Sequence, residues 1–348
     1  YITCPNHAIS DSKNHHPGID NRGPFLSMNP FSSRCCQHNH AQGWPYFTEH
    51  LVLATPDNGV ATAIYAACKA TVKVGDGKEI TLHEETNYPF EEAIAFTVST
   101  GEKVAFPFYL RIPSWTKGAE VRVNGKKVSV TPVAGKYLCI NREWANGDRV
   151  ELTLPMSLSM RTWQVNKNSV SVDYGPLTLS LKIAEKYVEK DSRETAIGDS
   201  KWQKGADSKK WSTTEIYPDS PWNYSLVLDK KEPLKNFKVI RKSWPTDNYP
   251  FTVASVPLEV KAIGRPVPEW KIDETGLCGV LPEEDAVKGD KEEITLIPHG
   301  CGTVENLCVP EHKRNKLITR KLRINETYCF FRLHPCVCML SRHPCSCQ

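Results

Sequence analysis

The amino-acid sequence predicts a mostly β protein that contains two antiparallel β-sandwich domains. From residue 59 onward, short apolar runs alternate with polar residues at every second position, which is the period of half-buried strands. Turn-forming residues separate the runs, and Asn124-Gly125 between alternating segments is a strong signal for a two-residue hairpin. About seven strands at this spacing are typical of a sandwich or a barrel.

The first sandwich is predicted over residues 56–165. Its strand-like runs end at turns such as GDGK, TGEK, VNGK and ANGD. The runs are GVATAIYAACKATVKV, KEITLHEE, EEAIAFTVST, KVAFPFYLRIP, AEVRVNGKKVSV, GKYLCINREW and DRVELTLPM. Glu84 and Glu85 are adjacent in one run, so they point to opposite faces of the sheet and do not form a catalytic pair.

The second sandwich is predicted over residues 166–302. It begins at NSVSVDYGPLTLSLKIAEKYVE, and its strands resume at NYSLVLD, FKVIRKSW, FTVASVPLEVKAIGR and EEITLIP. Residues 190–215 between these strands are polar and predict a long loop. The second sandwich is therefore predicted to be shorter than the first and to have longer loops.

The region before the first sandwich, residues 1–55, is predicted to hold long loops and one short helix. Residues 1–45 are rich in Pro, Gly, Asn, His and Ser, which favour loops. Phe47, Leu51 and Ala54 then follow helical spacing, which predicts a helix over residues 46–55.

The composition after residue 302 changes abruptly. Of 13 cysteines in the chain, seven lie in the last 48 residues, and strand alternation stops. Residues 303–348 are therefore predicted to be an aberrant, Cys-rich and disordered tail. A shift of reading frame would produce such a break, while its two Cys-x-Cys pairs beside His are also the pattern of a soft-metal site.

Charge and hydropathy exclude two classes of partner. The net charge is +4 and is spread along the chain, which does not favour nucleic acid binding. No apolar run approaches the roughly 20 residues that a membrane span needs. No signal peptide is visible, so periplasmic, extracellular and cytoplasmic locations all stay open.

The stretch FSSRCCQHNHAQGW contains the clearest candidate for chemistry, because Cys35 and Cys36 stand side by side. Adjacent cysteines also occur by chance, and a buried Cys behaves as a small apolar residue. Thiolates are, however, good zinc ligands, and a zinc-bound thiolate in a cleft is a nucleophile. His38 and His40 lie close in sequence, but four ligands within six residues would crowd the backbone.

These residues, with several others, resemble glycoside hydrolase family 127, the β-L-arabinofuranosidase family. NHHPGIDNRGPFLSMNPFSSRCCQHNHAQGWPYFTEHLVLATPDNGVATAIYA resembles the end of its catalytic domain. FYLRIPSWTKGAEVRVNGK, GKYLCINREWANGDRVELTLPM and VSVDYGPLTLSL resemble the β-sandwich that follows, and PWNYSLVLD, PEWK and EEITLIPHGC continue the resemblance. It covers about residues 1–302 and excludes residues 303–348.

The resemblance implies that residues 1–55 are the C-terminal remnant of an α/α-barrel catalytic domain. It implies that Cys35 is the nucleophile and a zinc ligand, that Cys36 is a second zinc ligand, and that arabinose-containing glycans are the substrates. By the same resemblance, the remaining ligands, a Glu and a Cys, and the acid/base Glu would fall before Tyr1. We therefore expect the chain to be an inactive fragment of a retaining glycoside hydrolase.

Four further residues are candidates for substrate binding. His15 and His16 precede the cysteine pair, and Trp44 and Tyr46 follow it as possible aromatic platforms for a sugar. The alternative function is a non-catalytic β-sandwich module that binds carbohydrate or has a structural role.

Overall fold

The structure, a computed structural model, describes residues 7–11, 35–191, 207, 209–210, 212–273, 276–282, 287–306 and 309–310. These residues form one helix and 19 strands. The predicted fold class, mostly β with antiparallel sheets, is confirmed. No helix within these ranges is long and apolar enough to cross a membrane.

The first ten strands form two sheets. A four-stranded sheet has the order β1-β2-β6-β9, and a six-stranded sheet has the order β3-β4-β5-β10-β7-β8. All neighbouring strands in them are antiparallel except β2 and β6, which are parallel. The strands are β1 Val52–Ala54, β2 Val60–Thr62, β3 Cys68–Val74, β4 Lys78–Thr86, β5 Ala93–Thr100, β6 Val104–Ile112, β7 Glu120–Val123, β8 Lys126–Lys127, β9 Lys136–Trp144 and β10 Arg149–Thr153.

An aromatic core lies between these two sheets. Strand β6 buries every second residue, as its sequence alternation predicted. Its Phe106 stacks on Trp144 at 5.6 Å between ring centroids, and Phe108 meets Phe96 edge-on at 5.4 Å. All four rings are fully buried, so truncating one of them would cost about 3–5 kcal/mol.

The hairpin at Asn124-Gly125 is confirmed. Both residues have positive φ, 50° and 76°, as a type I′ turn requires. The turn joins β7 to β8, with Val123 opposite Lys126.

The remaining nine strands form a second block. Seven of them make one sheet with the order β11-β12-β13-β19-β18-β16, and β17 pairs with β18; β14 and β15 form a two-stranded sheet. Two strands were missed by the sequence prediction: β11, and β15 at the end of the predicted polar loop. The strands are β11 Leu158–Trp163, β12 Ser169–Tyr174, β13 Leu177–Leu181, β14 Glu185–Lys190, β15 Thr213–Pro218, β16 Tyr224–Leu226, β17 Lys238–Arg241, β18 Leu258–Pro266 and β19 Glu292–Pro298.

Two distant segments complete this second block and depart from the predicted boundaries. Residues 7–11, predicted to belong to the barrel remnant, pair with the block instead: Ser10 exchanges two backbone hydrogen bonds with Ile216, at 2.8 and 2.9 Å. Residues 303–306 and 309–310, predicted to start the disordered tail, also pack here. Val304 and Val309 are buried, and Val309 exchanges two backbone hydrogen bonds with Val170. Residues 311–348 lie outside the described residues.

The helix also differs from its prediction. Helix α1 spans Cys35–Glu49, whereas residues 46–55 were predicted to be helical and residues 35–45 to be loop. Residues 52–54 instead pair with β2 as strand β1. Gly43 and Pro45 lie inside the helix and weaken the helical signal of its sequence, which explains the error.

Candidate functional site

The cysteine pair lies in the first turn of α1. Cys35 and Cys36 are the first two residues of this helix. The amide groups of the first turn have no partner within a helix, and the helix dipole adds partial positive charge there. A thiol at such a position loses its proton more readily than a thiol in the middle of a helix.

The C-terminal end of α1 is fixed to the first block. The helix ends in two backbone hydrogen bonds between residues three apart. The amide of His50 donates to the carbonyl of Phe47 at 3.3 Å, and the amide of Leu51 donates to the carbonyl of Thr48 at 3.4 Å. The Leu51 side chain is buried, and its carbonyl accepts the amide of Ala63 at 3.1 Å. The cysteine pair is thus connected to the edge of the four-stranded sheet through one helix and one short turn.

The predicted aromatic platforms lie on the same helix, but far along it. Trp44 and Tyr46 are 62% and 65% exposed, and the Trp44 ring meets Phe47 edge-on at 6.2 Å. At 1.5 Å rise per residue, Trp44 and Tyr46 lie about 13 and 16 Å along the axis from Cys35. The two aromatic side chains therefore stand about two and a half and three helical turns away from the cysteine pair.

The structure places only some of the predicted site residues on one element. Cys35, Cys36, Trp44 and Tyr46 share α1, while His15 and His16 lie outside the described residues. Every side chain described on α1 is exposed, so this helix has no buried apolar face in the part of the chain described.

No group of three or more His, Cys, Asp or Glu side chains within the described residues is arranged to hold a metal ion. A closed zinc site needs four ligands, preferably thiolate or imidazole. The chemistry of the cysteine pair fits zinc, and the pair would account for two of these four ligands.

A buried carboxyl in the first block was not predicted as unusual. Glu84 is fully buried, and its carboxyl accepts the amide of Ala66 at 3.1 Å and lies 3.9 Å from the thiol of Cys68. Burial raises the pKa of Glu84 to about 8. Its neighbour Glu85 is exposed, so the predicted opposite facing of the two acids is confirmed. The strand alternation in the sequence predicts that one of the two acids is buried. It does not predict which groups surround that acid, because they come from other parts of the block.

Other described thiols are poor nucleophiles. Burial raises the pKa of Cys68 to about 11 and the pKa values of Cys278 and Cys301 to about 12. Each of these three therefore stays protonated and unreactive near neutral pH.

Comparison with known proteins supports the sequence resemblance. The family model described as "Beta-L-arabinofuranosidase, GH127 middle domain" matches residues 59–156. This range begins just before β2 and ends just after β10, so it includes nearly all strands of the first block. A search of curated proteins returned no match.

Solved structures share the fold over most of the chain. A GH127 β-L-arabinofuranosidase from Geobacillus stearothermophilus T6 matches with a TM-score of 0.53 and 22% identity, over 84% of this chain and 42% of its own. A protein described as a glycoside hydrolase gives a TM-score of 0.55 at 22% identity, over 84% and 44%. A GH127 β-arabinofuranosidase gives 0.54 at 22%, over 84% and 42%.

The chain thus spans less than half the length of these three structures. At this identity the structural match establishes the fold alone. The resemblance seen in the sequence is confirmed over residues 59–156, which match the model of the middle domain of glycoside hydrolase family 127, the β-L-arabinofuranosidase family.

Proposed function

We propose that the chain is part of a retaining glycoside hydrolase that releases terminal β-L-arabinofuranose-type sugars from arabinose-containing glycans, with Cys35 as nucleophile. One observation carries the proposal: the cysteine pair opens the helix that leads directly into the matched middle domain. The sequence resemblance implies the same order, with a Cys-Cys pair at the end of a catalytic domain and β-sandwiches after it.

The first chemical step uses Cys35 as the attacking group. Its thiolate forms a carbon–sulfur bond to the anomeric carbon while the glycosidic carbon–oxygen bond breaks. The departing oxygen takes a proton from a general acid, which the resemblance assigns to a Glu outside the 348 residues. The helix N-terminus favours the thiolate form of Cys35 before the attack.

The second step restores the thiolate. A water molecule gives a proton to the same Glu, now a base, and attacks the anomeric carbon as the carbon–sulfur bond breaks. Two successive inversions return the sugar with its original anomeric configuration, as in retaining glycosidases with a carboxylate nucleophile.

Cys35 and Cys36 would hold the zinc ion that the resemblance implies. When bound, zinc would keep the thiols deprotonated at neutral pH. With two of the four ligands of a closed site, the 348-residue chain should bind zinc weakly. For the same reason, and without the acid/base Glu, it should not hydrolyse glycosides by itself.

The test is hydrolysis of an aryl β-L-arabinofuranoside, with bound zinc measured by atomic absorption. The chain is assayed alone and joined to the helical barrel of a family 127 relative. We expect turnover only in the joined protein, loss of turnover in Cys35→Ser, and loss of both zinc and turnover in Cys36→Ser.

Cys278→Ala is the matched control, because its thiol is protonated and outside the proposed site. It should retain zinc and turnover. Full activity of the joined protein with either Cys35→Ser or Cys36→Ser would overturn the proposal, as would robust turnover by the isolated 348-residue chain.

A further inference from the structure

A histidine and a glutamate meet just after strand β19, where the chain leaves the sheet of the second block. The Nδ1 atom of His299 lies 2.6 Å from an oxygen of the Glu305 carboxyl. Glu305 is buried, whereas the side chain of His299 is 34% exposed. The backbone amide of His299 donates to the carbonyl of Thr178 on β13 at 2.8 Å, and beside Thr178 the side chains of Arg161 and Asp173 pair with each other. The pair thus joins an inner carboxyl to an imidazole that water can reach.

The carboxyl of Glu305 also organises the turn that leads into residues 303–306. It accepts the amide of Gly300 at 2.7 Å and the hydroxyl of Ser180 at 3.4 Å. The backbone amide of Glu305 donates to the carbonyl of His7 at 2.8 Å. Glu305 is therefore fixed to its own turn, to the sheet and to the N-terminal segment at once.

A second acid faces the same segment. The carboxyl of Glu185 accepts the amides of Thr303 and Val304, the latter at 3.1 Å. A Cβ added at Gly302 would lie 3.6 Å from side-chain atoms of both Glu185 and Glu305, so the two acids flank this glycine. A cation beside Glu305 therefore has a favourable place in this cluster.

The other ionisable groups around the segment differ from His299 in what they contact. The ring of His7 donates to the carbonyl of Thr303, which carries no full charge. Tyr187 donates to the carboxyl of Glu185, and desolvation raises the pKa of its hydroxyl above the usual value. Burial raises the pKa of Cys301 to about 12, so its thiol stays protonated near neutral pH. Within the described cluster, His299 is the imidazole that pairs with a carboxyl.

Imidazole is the side chain whose charge ordinarily changes near neutral pH. The hydrogen bond with Glu305 raises the pKa of His299 above its ordinary value of 6.5, by more than partial burial of the ring lowers it. A group of this kind contributes stability that is fully present below the ordinary value and is lost as pH rises through the folded value. The pair is therefore strongest when the imidazole is charged, because a charge-assisted hydrogen bond is roughly twice as strong as a neutral one.

We propose that His299 and Glu305 form a pH-sensitive clasp, which holds residues 303–306 on the second block near pH 6 and loosens as the pH rises towards about 9. Because Glu305 also holds the carbonyl of His7, the clasp reaches the N-terminal segment. The inference does not depend on the proposed hydrolase function, because neither residue belongs to α1 or to the matched middle domain.

The test is hydrogen–deuterium exchange of the 348-residue chain near pH 6 and near pH 9, with each rate divided by the intrinsic rate at the same pH. We expect the amides of residues 300–306 to lose protection about two- to fivefold between the two values, because the charge-assisted bond becomes a neutral one and water already screens part of it. The amide of Val227, which donates to the carbonyl of Ile263 at 2.9 Å, is the reference in the same block. It reports any general loss of stability, including that caused by Glu84.

Three variants assign the effect to the pair. His299→Gln keeps a neutral donor, so near pH 6 it should show the lower protection that the native chain has near pH 9, without further change. His299→Lys keeps a positive charge at both values and should stay protected at both. His7→Gln is the matched control, because its ring contacts a carbonyl, and it should keep the native dependence on pH.

The proposal would be overturned by equal protection of residues 300–306 at the two pH values in the native chain. It would also be overturned if His299→Gln kept the native pH dependence, or if His7→Gln lost it. A loss of protection at Val227 as large as that at residues 300–306 would show general unfolding instead of a clasp. Cys35→Ser should behave as the native chain does, so a failure of the hydrolase proposal would leave this result unchanged.

Discussion

At the scale of single residues, Glu84 shows how burial changes a side chain that sequence alone presents as an ordinary strand acid. Its carboxyl is fully buried, and within the described residues its contacts are the amide of Ala66 and the thiol of Cys68. An ionised carboxyl without a cationic partner is costly to bury, so the protonated form is favoured. The raised pKa of Glu84, about 8, follows from this desolvation.

Glu84 should make the folded protein less stable as pH rises. Its folded pKa lies above the ordinary value of 4.5, so stability is fully present below about pH 4.5 and is lost as pH rises towards about 8. Glu84→Gln keeps the shape and stays neutral. We expect this variant to exceed the native chain in free energy of unfolding by on the order of 2 kcal/mol near pH 9, and to match it near pH 4.

Urea unfolding at the two pH values measures this difference. Glu85→Gln is the matched control: Glu85 is exposed and forms a surface ion pair with Arg149, which contributes little. If the free energy of unfolding of Glu84→Gln changed with pH as much as that of the native chain, the carboxyl of Glu84 would be ionised in the folded protein at neutral pH.

At the scale of elements, strands β4, β5 and β6 were predictable because their buried and exposed residues alternate. Strand β6 buries one face and exposes or half-exposes the other, and its sequence shows this directly. Helix α1 could not be located in the same way. It contains Gly43 and Pro45 and no apolar face, so neither propensity nor periodicity marks its start at Cys35.

Some features of the candidate sites were also visible in the sequence, while others arise only from tertiary packing. Cys35 and Cys36 were singled out from the sequence because they stand side by side in a segment that resembles the end of a family catalytic domain. The aromatic contact between Phe90 and Phe251 was not recognisable, because the two residues lie far apart in sequence and meet only through tertiary packing. The same applies to Ser10 and Ile216, whose pairing joins the N-terminal segment to β15.

The hairpin turn between β7 and β8 provides an element-scale prediction. Gly125 has φ of 76°, and no atom lies within 4 Å of the place that a Cβ would occupy at this position, so only backbone strain opposes a side chain. Gly125→Ala should lower the free energy of unfolding by about 1–2 kcal/mol. Thermal unfolding followed by circular dichroism would measure it.

Gly101→Ala is the control for this substitution. Gly101 also has open space around it, but its φ is not in the left-handed region. Its substitution should leave the unfolding midpoint nearly unchanged. Equal effects of the two substitutions would show that the positive φ of Gly125 carries no energetic cost.

At the scale of the whole molecule, the second block depends on chain segments that lie far apart in sequence. His7 and Ser10 come from the N-terminal side, and Val304, Glu305 and Val309 come from the C-terminal side. The backbone amide of Glu305 donates to the carbonyl of His7 at 2.8 Å, so the two segments also contact each other. The predicted boundary at residue 302 therefore cuts through packed structure.

Ending the chain at residue 302 should destabilise it. The truncation removes two buried valines, Val304 and Val309, and the buried Glu305, which accepts the amide of Gly300 at 2.7 Å. Each valine contributes about 1.5–3 kcal/mol through burial. We expect the melting temperature to fall by roughly 5–10 °C or more relative to a chain that ends at Lys313.

Differential scanning calorimetry of these two chains makes the comparison. Both lack residues 314–348, so their difference reports only the segment 303–313. Identical melting temperatures would mean that this segment contributes nothing to stability.

The central claim, that Cys35 is the nucleophile of a retaining glycosidase, is tested most directly by trapping the covalent intermediate. The chain joined to the helical barrel of a family 127 relative is mixed with an aryl β-L-arabinofuranoside, quenched in acid during turnover, digested and analysed by mass spectrometry. We predict a pentosyl group on the sulfur of Cys35, absent from Cys36 and from the protonated thiol of Cys278. A pentosyl group found on a carboxylate during turnover would contradict the account. Native turnover retained in Cys35→Ser would contradict it as well.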